Sequence, residues 1–239
     1  MTPTIRLALF DLDGTLVDSP RAIVRTFTAA FASMQVEARH PAAIRATIGL
    51  PLEQAFSTLL DVPVDDEQVG LGVQRYGALF KEIILPMATE LLFPGVAGGL
   101  AALRARDVTL TIATSKFHAS ADALLTAAGI RDHFAVIVGA DQVSSPKPHP
   151  ETVLIILQEL GVPTDEAVMV GDTSHDLLMA TAAGVRSIAV TYGVHSRDEL
   201  TSAQPTWIAD TFADVVSCIT MNVGSPQERT MRYDRFRRG

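Results

Sequence analysis

Five short apolar runs divide this chain, and they constrain its fold more than any other feature. They are Ile5 to Phe10, Val108 to Ala113, Phe134 to Val138, Ala167 to Val170 and Ser187 to Val190. Each is close to continuous in apolar residues rather than alternating, as expected of parallel strands covered on both faces. Between them lie stretches with helical spacing, most clearly Gly95 to Arg104, Ala119 to Ala128, Glu151 to Leu160 and Asp176 to Ala183. Strand and helix alternate, which predicts an α/β fold built on a doubly wound parallel sheet. Such sheets place ligands at the carboxyl ends of their strands. The residues just after each run are therefore the first candidates for function.

The rhythm breaks between about Ser19 and Met87, where no strand is convincing. Thr26 to Met34, Ala42 to Ile48, Leu52 to Leu60 and Gln68 to Ile84 read as helices. This is a helical insertion after the first strand, and Leu92-Phe93-Pro94-Gly95 marks the return to the sheet. The expected division is a core of residues 1–15 and 88–221, a helical unit of 16–87 and a tail of 222–239. That tail holds Arg229, Arg232, Arg235, Arg237 and Arg238 but few aliphatic residues. It reads as a solvated tail or as an arm that docks on a neighbouring subunit.

Charge narrows the partners. The 239 residues carry a formal net charge of −8, which argues against nucleic acid, because phosphate backbones need clustered Lys and Arg. A small anionic substrate stays possible, since a cation or a few basic groups can reverse the sign inside a pocket. Cys218 is the lone cysteine, so no disulfide forms within the chain and no cysteine metal site exists. The run Leu7-Ala8-Leu9-Phe10 stops at Asp11, too short for a signal-peptide core or a membrane span. The expectation is a cytoplasmic protein with no membrane partner, either a monomer or a homodimer.

Four segments at the ends of these runs carry chemistry. In Phe10-Asp11-Leu12-Asp13-Gly14-Thr15-Leu16, two acids directly follow a buried strand and would repel each other unless a cation or proton intervenes. A turn with solvated acids is the plainer account. In Val170-Gly171-Asp172-Thr173-Ser174-His175-Asp176, two more acids follow a strand, and Asp176 would be favoured at a helix start. If the two strands are neighbours, Asp172 lies beside Asp11 and Asp13. Oxygen donors of that kind suit a hard cation such as Mg²⁺, and nowhere do histidines or cysteines show zinc-like spacing. Ile112-Ala113-Thr114-Ser115-Lys116 offers hydroxyls and backbone N–H groups for an anion, or simply caps a helix. In Ser145-Pro146-Lys147-Pro148 a lysine is restrained between two prolines, as also happens in plain loops. Acids, hydroxyls and an ammonium at consecutive strand ends suit phosphoryl transfer.

These segments, in this order, resemble the haloacid dehalogenase superfamily, and the helical insertion resembles its C1 cap. The likeness runs from Ile5 to about Val190 and is nearest to the phosphoglycolate phosphatase-like branch. It implies that Asp11 attacks phosphorus to form an aspartyl phosphate and that Asp13 acts as general acid and base. It implies that Thr114 and the Ser115 amide hold the phosphoryl oxygens, while Lys147 neutralises them and orients Asp11. Mg²⁺ would be bound by Asp11, the Asp13 carbonyl and Asp172, supported by Asp176. Gly49, Leu50 and Pro51 resemble the cap's substrate-specificity loop, although a helix-breaking turn accounts for them equally well.

Single residues sort the branches. Dehalogenases lack an acid at the position of Asp13. The phosphonatase branch uses a cap lysine where Glu53 stands, and the mutase branch has a histidine and an arginine where Ile23 and Leu52 stand. The expected activity is hydrolysis of a small phosphorylated metabolite. A pyrophosphatase, a sugar-phosphate phosphatase or phosphomutase, and a non-catalytic phosphate-binding module are the alternatives. Glu53 would disfavour a carboxylate substrate if it pointed inward, and Arg45 would offset it.

Overall fold

The computed structural model describes residues 4–222. Its centre is β1 (Leu7–Phe10), in which every side chain is buried. To one side lie β2 (Thr109–Ala113) and β3 (Phe134–Val138), and to the other β4 (Ala167–Gly171), β5 (Arg186–Val190) and β6 (Trp207–Ala209). The order is β3-β2-β1-β4-β5-β6 and all pairs are parallel. The chain therefore winds outward from β1 in one direction, then returns to β4 and winds in the other. The crevice between β1 and β4 is the topological switch point, where an open α/β sheet opens for a ligand. Register brings Phe10 level with Ile112 and with Val170, so the residues that follow three strands converge there.

The insertion is helical, as expected. It consists of α1 (Pro20–Ser33), α2 (Pro41–Arg45), α3 (Leu52–Leu60) and α4 (Glu67–Ile83). Its centre is an aromatic cluster, with Phe27 4.8 Å from both Phe56 and Tyr76, ring centre to ring centre. Gly72 on α4 permits the approach to α3, because a Cβ there would lie 2.6 Å from the Phe56 ring. Phe56 is fully buried. Phe56→Ala is expected to cost about 3–5 kcal/mol of stability. Denaturant unfolding checks this, and an unchanged midpoint would contradict the packing. The two chain crossings into the insertion pair with each other: Asp18 N–H donates to Leu91 O (2.7 Å) and Phe93 N–H to Leu16 O (3.1 Å).

The remaining helices are α5 (Val96–Arg104), α6 (His118–Ala127), α7 (Glu151–Leu160), α8 (Ser174–Ala182), α9 (Arg197–Ser202) and α10 (Phe212–Met221). Some bounds differ from the sequence reading for physical reasons. The first insertion helix begins at Pro20, not Thr26, because proline fits the first helical turn. The second ends at Arg45 rather than Ile48, because the chain turns sharply at Gly49 (φ +102°). Strand β6 and helices α9 and α10 had no counterpart in the sequence reading. Helix α10 completes one face of the sheet, where Phe212 packs 6.1 Å from the Phe10 ring. The arginines of the tail lie outside the described residues. Among the described residues, no helix is long and apolar enough to cross a membrane.

Candidate active site

Strand β1 ends by delivering Asp11 into the crevice, with its backbone N–H donating to Val170 O of β4 (2.9 Å). The next turn is shaped by what it must clear. Gly14 adopts φ +91°, and a Cβ on it would lie 2.2 Å from Asp172 Oδ2. Only glycine fits both demands. Thr15 Oγ1 then donates to Asp172 Oδ1 (2.9 Å), and Val194 N–H donates to its Oδ2 (2.8 Å). Asp172 is completely buried and fixed from two sides.

Asp176 occupies the first turn of α8. Its Oδ2 accepts from the Thr173 N–H (3.1 Å) and hydroxyl (2.7 Å), closing a cap on the helix start. Lys147, buried, places Nζ 2.6 Å from Asp11 Oδ1 and 2.6 Å from Asp176 Oδ1. The ammonium thus bridges the two acids. No hydrogen bond to Asp11 Oδ2 exists among the described residues, so that oxygen is the one open to the crevice.

Three buried carboxylates around one ammonium leave an excess of negative charge. Burial pushes Asp11 up to about 7, against the pull of Lys147, with Asp176 and Asp13 adding to the rise. Asp172 is raised well above its ordinary value by burial and then by the Asp11 and Asp176 charges. Burial alone would depress Lys147, but Asp11 and Asp176 outweigh it and hold its ammonium above the usual range. Ligand oxygens of Asp11, Asp172 and Asp176 all lie within 4.8 Å of one another. All are hard oxygen donors, and a divalent cation would cancel the surplus charge. The residues therefore fit Mg²⁺ or a similar hard ion.

The end of β2 supplies the next group. Thr114 and Ser115 are buried beside the crevice. Thr114 Oγ1 accepts from the Lys116 N–H (3.2 Å), while Ser115 Oγ reaches across to the insertion and donates to Gly49 O (2.7 Å). Lys116 follows these two hydroxyls in the chain. It pairs with Asp13 (2.9 Å) and sits 5.0 Å from the centre of the Phe80 ring. Ser19 Oγ donates to the other Asp13 oxygen (2.6 Å). The Asp13 carboxylate therefore faces Ser19 and Lys116 and stands apart from the carboxylate triad.

Between this floor and the insertion lies a cavity. Asp11, Asp13, Thr114, Ser115, Gly49 and Leu50 all line it, but Pro51 does not and instead precedes the first turn of α3. Arg45 and Glu53 do not line it either, and the Arg45 guanidinium donates to Gly193 O (3.2 Å). Sequence reasoning missed Ser19, Lys116's partner and the 192–194 loop that locks Asp172. For Lys116 its place after Thr114 and Ser115 was a usable signal. For the loop there was none.

The sequence model of the family described as haloacid dehalogenase-like hydrolase matches residues 8–190. A protein named Probable phosphatase IndB from Dickeya dadantii is 51% identical over 88% of this chain and 91% of its own length. A phosphoglycolate phosphatase from Yersinia pseudotuberculosis is 32% identical over 94% of this chain and 97% of its own length. The solved structure of a haloacid dehalogenase-like family hydrolase from Streptococcus pneumoniae superposes with a TM-score of 0.75. It is 32% identical and covers 89% of this chain and 97% of that one.

Proposed function

This chain belongs to the family of haloacid dehalogenase-like hydrolases, and on that premise we propose that it is a Mg²⁺-dependent phosphatase of small phosphate monoesters. One observation carries the reading: Asp11 stands at the switch point with one oxygen fixed by Lys147 (2.6 Å) and the other open. In this reading Asp11 Oδ2 attacks phosphorus and the bond to the ester oxygen breaks. Asp13, which pairs with Lys116, acts as general acid toward the departing alkoxide. The product is an aspartyl phosphate on Asp11. Asp13, now ionised, takes a proton from water, whose oxygen attacks phosphorus. Inorganic phosphate leaves and the Asp11 carboxylate is restored.

Thr114 Oγ1 and the Ser115 N–H bind phosphoryl oxygens, and Lys147 offsets their charge while holding Asp11 in place. Asp11, the Asp13 carbonyl and Asp172 would hold Mg²⁺, while Asp176 steadies Lys147. Bound Mg²⁺ supplies charge neutralisation for the phosphoryl group and for the acids that hold it. Residues 16–87 act as a cap over a core of 1–15 and 88–221. The paired crossings at Leu16 to Asp18 and Leu91 to Phe93 form its hinge, and the Ser115–Gly49 contact closes it.

The test is release of inorganic phosphate from a generic aryl phosphate, with Mg²⁺ and with a chelator. Release that needs Mg²⁺ is expected, and equal release in the chelator would overturn the metal role. A stability measurement adds a second readout. A carboxyl whose folded pKa is raised binds more protons when folded than unfolded, so stability falls as pH rises toward the folded value. For Asp11 that window runs from the ordinary 3.8 to about 7. In chelator, the melting temperature contribution of this site should decline across it. Adding Mg²⁺ should stabilise the protein more at pH 8 than at pH 5.5. A Mg²⁺ shift equal at both values would contradict this.

A further inference from the structure

The cavity above Asp11 differs sharply between its floor and its walls. The floor is polar, with Asp11, Asp13, Thr114, Ser115 and Lys116. The walls are Ile23, Phe27, Leu50, Leu52, Tyr76 and Phe80, with Phe117 beside them. Lys116 is the one cation among the lining residues, and its ammonium is matched by Asp13. Lys147 is committed to Asp11 and Asp176. Arg45 of the insertion donates to Gly193 O and does not line the cavity.

We infer that the preferred substrate is a phosphate monoester whose alcohol part is uncharged and presents an apolar or aromatic face to this wall. The inference rests on the phosphatase reading above and deepens it. A second anionic group on the alcohol part, whether the carboxylate of phosphoglycolate or a further phosphate, would lose its hydration against Phe27, Leu50 and Phe80 with no cation to receive it. It would also lie near Asp13. An aromatic or aliphatic group meets the opposite circumstances: its burial is favourable, and flat rings pack well on Phe and Tyr. The Tyr76 hydroxyl takes no hydrogen bond among the described residues, which leaves it as a neutral donor for one polar group on such a ring.

Relatives named phosphoglycolate phosphatase share only about a third of their residues with this chain (32% and 30% identity), which leaves room for a different cap surface. The selectivity sits in the insertion, since all six wall residues lie between Ile23 and Phe80.

The deciding experiment compares kcat/KM for benzyl phosphate and phosphoglycolate, with Mg²⁺, on the full chain. Both are esters of primary alcohols, so the comparison reads the cavity rather than the leaving group. Benzyl phosphate is expected to be preferred by at least about tenfold. Equal rates, or a preference for phosphoglycolate, would overturn the inference and leave the phosphatase reading intact. Phosphate release from neither, nor from aryl phosphate, would overturn both. Leu50→Arg supplies the missing cation and should move the preference at least about tenfold toward phosphoglycolate. A folded Leu50→Arg protein with an unchanged preference would count against the wall as its source.

Discussion

Asp11→Asn is expected to abolish phosphate release, by at least about 10⁴-fold, while leaving the protein folded. The amide keeps the shape of the carboxylate but is a far weaker nucleophile toward phosphorus. Removal of a nucleophile is not compensated by the groups around it, because Thr114, Ser115 and Lys147 only position and neutralise. The folded state should not suffer. Asp11 is buried and its carboxyl is raised to about 7, so at higher pH its charge opposes folding rather than supporting it. In chelator at pH 8 the variant should melt no lower than the parent. An inactive variant that had also unfolded would say nothing of chemistry, so the two measurements belong together.

Lys147 gives the second large effect, and here stability and activity fall together. Lys147→Met removes the ammonium that lies 2.6 Å from both Asp11 and Asp176. Two buried carboxylates then face each other without compensation. Breaking a buried ion pair from one side costs roughly 3–5 kcal/mol. Denaturant unfolding at pH 8 should show that loss, and it should shrink as pH falls and Asp11 takes up a proton. The double variant Lys147→Met with Asp11→Asn separates charge from packing. It should be more stable than Lys147→Met alone, because one uncompensated charge is gone. Equal instability would mean that the lysine stem, not its charge, supports the fold.

The parts of this molecule that were legible in its sequence are the parts that depend on local rules. Continuous apolar runs mark strands covered on both faces, and the reading found β3 to the residue. Periodic stretches bounded by turn residues gave α3 and α7 in the same way. Asp11 and Asp172 stand out because acids directly after buried strands need partners, Asp176 because it falls at a helix start, and Lys147 because two prolines restrain it. What escaped was settled at long range. Val194 binds Asp172 across 22 residues, and no pattern near 192–194 distinguishes it from any other loop. Lys116 is visible in its motif, but its pairing with Asp13 joins the ends of β2 and β1, far apart in sequence. Helix α10 has an apolar face of ordinary helical spacing, with Phe212, Val215 and Ile219 buried, but it borders the arginine-rich end, whose polar composition masks it in the sequence. Of the loop residues Gly49, Leu50 and Pro51, only the first two line the cavity, and Pro51 instead leads into α3.

The cavity wall also changes how the family likeness is used. Asp11, Asp172, Asp176 and Lys147 meet at the strand ends within the segment that matches the family. The insertion presents mainly apolar side chains to the cavity, and in the proposed reading it is the insertion that meets the alcohol part of the substrate. Relatives' names therefore inform the reaction more than the molecule it acts on.

The central claim is that Asp11 becomes covalently phosphorylated. Acid quench during turnover of an aryl phosphate, followed by borohydride reduction and peptide mass analysis, tests it directly. Reductive modification is expected at Asp11, more abundant in Asp13→Asn, where the group that activates water is missing. Full turnover with no modification at Asp11, or modification at another residue, would contradict it.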